Sequence, residues 1–553
     1  MILLMKNQLI MPNKTKTARN ILSLNADEVL EFFLKSEQFH GFELPEYFDF
    51  DNVLDYVRKT IGDKSYEDCL TNVLPDDLDN VNLNMLLNKD GHYGVRPLTL
   101  ANPFLYYFLA REVCRPAGWA AIRKCFKAYT VPHLSSGALP VVPEKVESFF
   151  KSATILNWWN VMEQRSIELS LEYRYMFMTD ITNCYGSINP QSIEWALSCK
   201  HTKHENNDNQ QLAENIQKYL RALQHGHNIG IPQGSALFDF IGEIVLGYSD
   251  LLLHEALQKE KLKSNYEIIR FRDDYRVFCN DKDTLEKISY KLQAVLESLN
   301  FRMNSQKTKI SDSIVIDSIK PDKLHYIYNT PVFNKKGCDY DSFEKHLLFI
   351  LMFGRQFPNA GQLKTLLSDI DRRIERWLRP YEVEVVEFDL SGNKAQKKKK
   401  EIRRRSLTGG SVRALSAVAT QIALDNVTAS HYALRVISRM VDSLQDHKEK
   451  EEVINMVFGK LCKQHNSDYN QLWLQNMTYT RDKKRKKSPY TVRLCQLVMG
   501  NNSEPLWNND WLKPEFTRNF PFESIVNQET LKKVTPVIMF RETRSYIDSL
   551  YAD

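Results

Sequence analysis

The chain has 553 residues, of which 43% are hydrophobic and 26% are charged, and its formal net charge is +5. This composition excludes a wholly disordered or collagen-like chain, and the small net charge by itself indicates no partner. At about 150 residues per domain, the length allows three or four compact units, or one large catalytic core with an appendage. Only 20 residues are glycine, which favours helices, because glycine destabilises a helix interior by about 1 kcal/mol relative to alanine.

The cysteines and the N-terminus bear on the compartment. The nine cysteines stand singly between Cys69 and Cys495, with no CxxC pair, so neither a zinc site nor a redox pair is predicted. Unpaired thiols are typical of the reducing cytosol. The N-terminal apolar run is broken by Lys6, Asn7 and Gln8, which makes it a poor signal peptide, and no stretch approaches the about 18 apolar residues of a membrane span. We therefore expect a soluble, cytoplasmic protein.

Short β-like runs alternate with helical segments in the N-terminal part of the chain. Residues 1–90 are mixed, with a helical pattern at 26–39, and residues 91–330 contain three β-like runs. The clearest helical pattern is at 281–300, directly after the β-like run at 266–280, where apolar residues recur at helical spacing. This mixture predicts an α+β core. The three β-like runs are 173–182, 266–280 and 312–319.

The pattern changes beyond about residue 335, where amphipathic helical segments follow one another. Stacked helices, as in an irregular helical-repeat protein, are the natural interpretation of residues 331–553, although the segments show no fixed period. Two strongly basic runs interrupt this region, at 394–405 and 481–487. Each run is interpreted either as a solvated surface segment or as a contact for a nucleic-acid phosphate backbone.

Asp180 ends an apolar, strand-like segment in FMTDITNCYGSI (177–188), and Tyr185 follows it closely. A carboxylate at the end of a buried strand is costly unless it is paired or bound to a metal. Taken alone, however, such an aspartate is more often a helix cap, here of the helix that begins near Pro190.

A Gly-Ile-Pro-Gln-Gly turn at 230–234 leads directly into a long apolar helix. Pro232 and Gly234 fix the turn, and Gln233 projects from it as a neutral hydrogen-bond donor and acceptor. An ordinary junction between a loop and a helix has the same appearance, so this motif alone leaves both interpretations open.

Two adjacent aspartates, Asp273 and Asp274, lie between strand-like residues in IRFRDDYRVF (269–278). The order predicts a β-hairpin with the acids at its tip. Because adjacent carboxylates repel each other, a buried position would favour a divalent cation between them and a third acid. An exposed turn is the alternative, as for the Asp76-Asp77 pair in PDDLDN.

In this order, the three motifs resemble motifs A, B and C in the palm of reverse transcriptases. A fourth segment, LESLNFRMNSQKTKI (296–310), is similar to the family's stretch after the catalytic hairpin, with Asn304, Lys307 and Thr308 in the matching places. The resemblance implies an α+β fold with the fingers and palm of a right-hand polymerase. The implied domains are an N-terminal helical extension (1–90), the fingers and palm (91–330) and an all-α, repeat-like C-terminal domain (331–553).

The resemblance also implies nucleotidyl transfer by a two-metal mechanism, with Mg²⁺ as the cofactor and Mn²⁺ as the alternative. Asp180 and Asp273 would be catalytic residues that bridge both metal ions, and Asp274 would support them. The backbone carbonyl of Ile181 would be a further metal ligand. Mg²⁺ suits such a site because it prefers a few carboxylates together with substrate phosphates and water.

The same resemblance implies a binding site for deoxynucleoside triphosphates (dNTPs). Tyr185 occupies the family's steric-gate position, where a bulky ring excludes a ribose 2′-hydroxyl and so favours DNA as the product. Gln233 would contact the incoming nucleotide and its template partner, and Gly234 belongs to the same turn. Arg96, in a fingers-like segment, and Lys307 are further candidates for binding the dNTP, with a plain surface lysine as the alternative for Lys307.

Departures from the common pattern narrow the resemblance. Motif C usually begins with tyrosine, whereas Phe271 and Arg272 precede the acids here, and Phe238-Asp239 stands where many members carry Ser-Pro. Together with two further segments, these departures look most like the bacterial abortive-infection (antiphage defence) reverse transcriptases. The segments are FFLKSEQFHGFELPEYFDF (32–50) and YGVRPLTLANPFLYYFLAREV (93–113).

The abortive-infection group implies synthesis of single-stranded DNA without a conventional template, primed from a protein tyrosine, so that the DNA ends covalently attached. We expect dNTPs and nucleic acid as partners, no membrane, and a homo-oligomer. RNA-templated DNA synthesis is the alternative activity. A catalytically inactive nucleic-acid-binding scaffold is the alternative of another class, which the intact Asp180, Asp273 and Asp274 disfavour.

Overall fold

The computed structural model describes most of the chain, and all of the predicted active-site residues lie in the described part. The described residues are 19–89, 94–142, 154, 157–198, 207–260, 262, 265–329, 342–387, 397–403, 405–485, 488–501 and 504–543.

The N-terminal part consists of short helices and a two-stranded hairpin. The helical pattern at 26–39 corresponds to two helices, α1 (Ala26–Phe33) and α2 (Ser36–Phe39). Helix α1 begins where it does because Asn25 and Glu28 form a capping box. The further elements are 3₁₀ turns at Ile21–Ser23 and Pro75–Asp77, α3 (Asp51–Ile61), α4 (Tyr66–Cys69), β1 (Leu83–Asn88), β2 (Val95–Leu100), α5 (Pro103–Val113) and α6 (Pro116–Tyr129).

A five-stranded sheet carries the three motifs. Its strands are β3 (Leu134–Ser136), β4 (Tyr175–Asp180), β5 (Tyr266–Phe271), β6 (Asp274–Cys279) and β7 (Lys309–Ser311). The order across the sheet is β3-β5-β6-β4-β7, in which β3 runs parallel to β5 and the other neighbours are antiparallel. The β-like runs predicted at 173–182 and 266–280 are therefore strands, and the second run is a hairpin.

Helices cover one face of this sheet. They include α11 (Ala236–Gln258) and α12 (Lys282–Ser298), and α12 confirms the helix predicted at 281–300. Phe177, Tyr275 and Val277 join the main core on this side. The remaining elements of this part are a π-helical turn at Trp159–Gln164, α7 (Arg165–Leu169), α8 (Cys184–Ser187), α9 (Pro190–Ser198), α10 (Asn207–Ala222), α13 (Ile314–Ser318) and α14 (Pro321–Asn329).

The opposite face of the sheet packs against a smaller apolar cluster. Because strand side chains alternate between faces, Met176 and Met178 point to this side, where they meet Met162 and Ile314. Ile314 belongs to α13, so the strand predicted at 312–319 is wrong. A short apolar run is compatible with either structure, and here packing of a single helical turn against the sheet decides in favour of the helix.

The C-terminal region is built from helices that pack on nearby helices of the chain, often on the next but one, with one β-hairpin among them. The helices are α15 (Phe343–Gln356), α16 (Gly361–Leu378), α17 (Gly409–Asp425), α18 (Ser430–Asp442), α19 (His447–Leu461), α20 (Asp468–Asp482), α21 (Arg493–Val498), α22 (Pro514–Thr517), α23 (Gln528–Lys532) and α24 (Phe540–Thr543), with 3₁₀ turns at Val427–Ala429 and Phe522–Ile525. The predicted α+β fold with a helical C-terminal region is confirmed.

The hairpin in this region consists of β8 (Tyr381–Glu387) and β9 (Lys397–Arg403) and was not predicted. Strand β9 contains much of the first basic run, and Lys400 Nζ on this strand donates to Glu382 Oε2 on β8 at 3.1 Å. This contact joins opposite charges from the two strands. Residues 394–396 and 404 of this run, and 486–487 of the second, lie outside the described residues.

The last described segment returns to the N-terminal part of the chain. Trp507 Nε1 donates to the Leu100 carbonyl at 3.1 Å, and Asn102 Nδ2 donates to Asn509 Oδ1 at 2.7 Å. An isolated β-bridge joins Phe48 to Val526. The C-terminal segment therefore braces the elements that precede the sheet. Within the ranges that the structure describes, no helix combines the length and apolar character needed to cross a membrane.

Candidate active site

The sheet brings Asp180 and Asp274 face to face. Asp180 is the last residue of β4 and Asp274 is the first of β6, and the antiparallel register pairs them directly. Directly opposed residues have Cβ atoms about 4.5–5.5 Å apart, on the same face of the sheet. Two of the predicted catalytic carboxyl groups therefore share one end of the sheet.

Asp273 lies in the tight turn of the β5–β6 hairpin. Phe271 pairs with Asp274, so Arg272 and Asp273 are the two central residues of the turn. Arg272 has a φ of 55°, as a two-residue hairpin turn requires at its first central position. The Asp273 carbonyl accepts a hydrogen bond from the Ile181 amide at 3.0 Å. The predicted hairpin with acids at its tip is present and is tied to motif A.

The segment that follows α12, residues 299–310, supports the end of β4. The Asn304 amide donates to the Asp180 carbonyl at 2.7 Å, and Ile181 forms a β-bridge with Met303. The hydroxyls of Thr179 and Thr308 are hydrogen-bonded at 2.7 Å. The fourth segment that the sequence singled out therefore lies directly against motif A.

Negative charge accumulates at this end of the sheet. Burial raises the pKa of the Asp273 carboxyl, and the nearby charge of Asp180 raises it further. Burial raises the pKa of Asp274 to about 6, where the Arg276 guanidinium opposes the shift and Asp273 adds to it. Carboxyl groups in such surroundings are stabilised in their charged form by a nearby cation.

Lys307 supplies one such cation. Its Nζ donates to Asp180 Oδ2 at 2.8 Å. Burial alone would lower the pKa of Lys307, but the hydrogen bond and the charge of Asp180 raise it overall. The lysine side chain is nevertheless 62% exposed, so it can move away from Asp180 without disturbing the core. The structure thus places the predicted Lys307 at the aspartates.

Tyr185 lies in α8. This helix begins directly after Asn183, which has a φ of 49°. The Tyr185 hydroxyl donates to Asp239 Oδ1 at 2.9 Å, and Asp239 Oδ2 accepts a hydrogen bond from Arg272 Nη2 at 2.6 Å. Burial, followed by the charge of Asp239, raises the pKa of the Tyr185 hydroxyl well above its usual value, so the hydroxyl remains protonated. Tyr185, Asp239 and Arg272 come from motifs A, B and C and meet at one point.

The Gly-Ile-Pro-Gln-Gly turn connects motif A to the fingers. The Ile231 amide donates to the Tyr185 carbonyl at 2.9 Å, and the Gln233 carbonyl accepts from the Thr99 amide at 2.9 Å. Gly234 has a φ of 125°, and a Cβ there would lie 3.1 Å from the Thr99 carbonyl oxygen. Only glycine fits this conformation and this approach. The turn is therefore a fixed bridge between β2 and α8.

Arg96 is the predicted site residue that the structure does not join to the others. It lies on β2, the strand that contacts the Gly-Ile-Pro-Gln-Gly turn through Thr99, but its side chain is exposed. None of the contacts within the described ranges links it to Asp180, Asp273 or Asp274, so its role in binding the dNTP stays a prediction.

A buried ionic cluster beneath the hairpin was not predicted from the sequence. Arg270 donates to both carboxylates of Asp250 and Glu243, and all three side chains are almost fully buried. Arg270 Nη1 also donates to the Arg272 carbonyl at 3.1 Å. Although burial alone would lower it, Asp250 and Glu243 hold the pKa of Arg270 well above its usual value. The cluster anchors the β5–β6 hairpin to α11.

The carboxyl groups are the type of ligand that a hard divalent cation binds, but they are not arranged as a complete set of ligands around one. Among the described residues, no group of three or more His, Cys, Asp or Glu side chains is arranged to hold a metal ion, and Asp180 pairs with Lys307. The donors present, carboxylates with raised pKa values beside an open strand end, are nevertheless those that Mg²⁺ prefers. A cation at this place would relieve the repulsion among the acids.

Residues 120–332 match the family described as reverse transcriptase (RNA-dependent DNA polymerase). The chain contains a reverse transcriptase domain. The matched range contains Asp180, Tyr185, Gln233, Asp273 and Lys307, and thus the three palm motifs and the segment after the hairpin. It does not contain Arg96 or the segments at 32–50 and 93–113. No curated protein matches the sequence of the chain.

The solved structures that resemble this reverse transcriptase domain protein include yeast telomerases. A Candida tropicalis apo telomerase truncated from its C-terminal domain has 14% identity and a TM-score of 0.29, over 48% of this chain and 55% of that one. A Candida albicans telomerase in complex with a TWJ fragment of telomeric RNA has 11% identity and a TM-score of 0.28, over 71% and 66%. Apo telomerase from Candida tropicalis has 12% identity and a TM-score of 0.29, over 78% and 71%. The chain thus spans 55%, 66% and 71% of the lengths of these three structures.

Proposed function

We propose that the reverse transcriptase domain polymerises dNTPs by two-metal nucleotidyl transfer, with Asp180, Asp273 and Asp274 as its catalytic residues. The observation that carries this proposal is the register of β4 with β6, which pairs Asp180 with Asp274 and sets Asp273 beside them. Carboxylates from two motifs that are otherwise unrelated in sequence converge there, at an end of the sheet that is accessible to Lys307. A surface turn such as Asp76-Asp77 has no such partner strand.

The cofactor in this proposal is Mg²⁺, or Mn²⁺ in its place. Asp180, Asp273, Asp274 and the Ile181 carbonyl would hold it, and the bound metal would neutralise charge on the attacking and leaving oxygens. The Ile181 amide ties the hairpin to β4, and the nearby charge of Asp180 raises the pKa of the Asp273 carboxyl, so these two carboxyl groups lie near each other. The chain's own contribution is thus to pre-position the carboxylates, which matters because phosphoryl transfer depends mainly on positioning and electrostatics.

The remaining predicted residues bind the nucleotide in this proposal. Tyr185 forms the wall that excludes a ribose 2′-hydroxyl, and Gln233 with Gly234 forms the turn beside it. Lys307 donates to a triphosphate oxygen once it has left Asp180, a movement that its exposed side chain allows. Arg96 approaches from β2, the strand that holds the Gln233 carbonyl through Thr99.

We further propose that the product is single-stranded DNA made without a conventional template and primed from a protein tyrosine, in antiphage defence by abortive infection. Support comes from the motif departures at Phe238-Asp239 and Phe271-Arg272 and from the helical region that follows the domain. In this proposal the protein works in the cytoplasm as a homo-oligomer. RNA-templated DNA synthesis is the second candidate, favoured by the description of the matched family as RNA-dependent.

One assay separates these activities. Purified protein is incubated with Mg²⁺ and labelled dNTPs, with no added nucleic acid. Labelled DNA that stays on the protein after denaturation and is removed by DNase supports protein priming. Label that appears only when an RNA template and a primer are added supports templated copying instead. No incorporation under either condition would leave a nucleic-acid-binding scaffold and contradict the polymerase proposal.

A further inference from the structure

The two departures from the common motif pattern lie against each other. Asp239, which stands where many reverse transcriptases carry Ser-Pro, forms an ion pair with Arg272, which precedes the catalytic acids. Their Oδ2 and Nη2 atoms are 2.6 Å apart, and both side chains are half-buried, 25% and 32% exposed. A partly buried, charge-assisted hydrogen bond of this length is stronger than an ordinary surface pair. The two departures therefore compensate each other.

Asp239 also holds the predicted gate tyrosine. Its second oxygen, Oδ1, accepts the hydrogen bond from the Tyr185 hydroxyl at 2.9 Å. The edge of the same ring lies close to α11, where a Cβ on Gly242 would be 3.2 Å from Tyr185 Cε1. The Tyr185 carbonyl accepts the hydrogen bond from the Ile231 amide. The ring is thus fixed at its hydroxyl, at its edge and at its backbone.

The other end of this contact chain is rigid. Arg272 is held in the left-handed conformation of the hairpin turn, and its carbonyl accepts a hydrogen bond from Arg270. Arg270 is fully buried between Glu243 and Asp250 of α11. Asp239 and Glu243 are four residues apart on this helix, so they lie on the same face. The network thus returns to the helix from which Asp239 projects.

We propose that Asp239, held by Arg272, is the positioning residue that sets sugar specificity, because it keeps the Tyr185 ring where a ribose 2′-hydroxyl would lie. This inference rests on the proposed polymerase function and on Tyr185 as the gate. A bulky side chain rejects one extra hydroxyl only while it cannot move aside. The Tyr185 hydroxyl and the Asp239 carboxylate therefore hold the ring through one shared hydrogen bond, and loss of either group should weaken the selection against ribonucleotides.

The test compares kcat/KM for a dNTP with kcat/KM for the matching rNTP. Asp239→Ala should lower this ratio about ten-fold, mainly through a lower KM for the rNTP, since a hydrogen bond to a charged group shifts a population by about that factor. Tyr185→Phe keeps the bulk of the ring, removes only the hydroxyl, and should lower the ratio to a similar extent. The double variant should lower this ratio no further than either single variant does, because both changes break the same hydrogen bond.

Two more variants complete the design. Arg272→Gln should lower the ratio less than Asp239→Ala does, because the Tyr185–Asp239 bond remains. Glu260→Gln is the matched control: it breaks an ion pair with Lys291 just beyond the far end of α11, about 30 Å along the helix from Asp239 at a rise of 1.5 Å per residue. It should leave the ratio unchanged.

The outcomes are distinct. If wild-type protein incorporates dNTPs selectively and both Asp239→Ala and Tyr185→Phe keep the ratio within about two-fold, the positioning role is wrong and the polymerase proposal stands. Equal losses for dNTP and rNTP would also overturn the inference, because they indicate a purely structural role. Wild-type protein that incorporates no nucleotide would overturn the polymerase proposal, and the positioning role with it. If Asp239→Ala fails to fold, Tyr185→Phe decides the question.

Discussion

Arg270 offers a strong test of how the β5–β6 hairpin is held, because its guanidinium is fully buried and makes five hydrogen bonds to two carboxylates. Arg270→Met would leave Asp250 and Glu243 buried without a counter-charge. Removing one partner of a buried ion pair destabilises a protein by about 3–5 kcal/mol. Arg270→Lys keeps the charge but cannot form the forked contact, so it should lose less than Arg270→Met.

The assay is urea unfolding followed by circular dichroism at two pH values. Burial raises the pKa of Asp250 to about 6 even beside Arg270, and the rise would be larger without that guanidinium, so Arg270→Met loses stability as the pH rises through the folded-state pKa. The deficit relative to wild type should therefore be larger at pH 8 than at pH 5. Arg58→Met is the control, because Arg58 pairs with Glu31 at the surface, where such pairs contribute about 0–1 kcal/mol.

Two results would refute this reasoning. A loss of less than about 1 kcal/mol for Arg270→Met would mean that the carboxylates find other partners or water, so that the cluster does not anchor the hairpin. A deficit that is the same at pH 5 and pH 8 would mean that lost packing, rather than uncompensated charge, destabilises the variant. Adding Glu243→Gln and Asp250→Asn to Arg270→Met should restore part of the stability, because it removes the buried charges.

Three further predictions follow from individual contacts. Lys307→Ala should lower kcat/KM for dNTPs at least about ten-fold in steady-state assays, because the charge that faces Asp180 is lost. Gly234→Ala should reduce polymerase activity and destabilise the fold by about 1–3 kcal/mol in urea unfolding, since its φ of 125° disfavours a side chain. Burial lowers the pKa of His346 to about 4. His346 therefore binds a proton more tightly in the unfolded chain than in the folded one. The free energy of unfolding should fall by about 3 kcal/mol on this account as the pH falls from 6.5 to 4. His346→Gln should reduce that fall.

Each of these predictions has a control and a contradicting result. Gly361→Ala is matched to Gly234→Ala because nothing lies within 4 Å of a Cβ there, and equal effects of both changes would contradict the argument. Unchanged kcat/KM in Lys307→Ala would mean that Lys307 is a surface lysine with no part in dNTP binding. Wild-type and His346→Gln proteins with the same loss of stability between pH 6.5 and pH 4 would assign that loss to other groups.

The elements that carry the motifs were predictable because their patterns are local. Apolar residues on both sides of Asp273-Asp274 predict a hairpin, and a hairpin with a two-residue turn fixes its own register. By contrast, the run at 312–319 was assigned to a strand and forms α13, because a short apolar run fits both structures and packing decides. The β8–β9 hairpin was missed because lysines at consecutive positions hide the alternation of a strand.

The contacts between motifs were beyond the reach of the sequence. The sequence marked Asp239 and Arg272 as departures from a family pattern, but it gave no reason to pair them, because their contact depends on how α11 lies beside the hairpin. The same holds for Lys307 and Asp180, which are joined by the fold of the segment after α12. Opposite charges at two unusual positions were the available signal for the first pair. A search for opposite charges among the departures from the family pattern would have suggested the contact between Asp239 and Arg272.

The central claim is that the acids at the end of the sheet perform nucleotidyl transfer, and Asp273→Ala tests it most directly. The variant and wild type are compared for incorporation of labelled dNTPs with Mg²⁺, together with Asp77→Asn, which changes an aspartate in an exposed turn that has no catalytic role in this account. We expect Asp273→Ala to keep the circular dichroism spectrum of wild type but to lose incorporation, while Asp77→Asn keeps both. Incorporation that survives in a folded Asp273→Ala protein would contradict this claim.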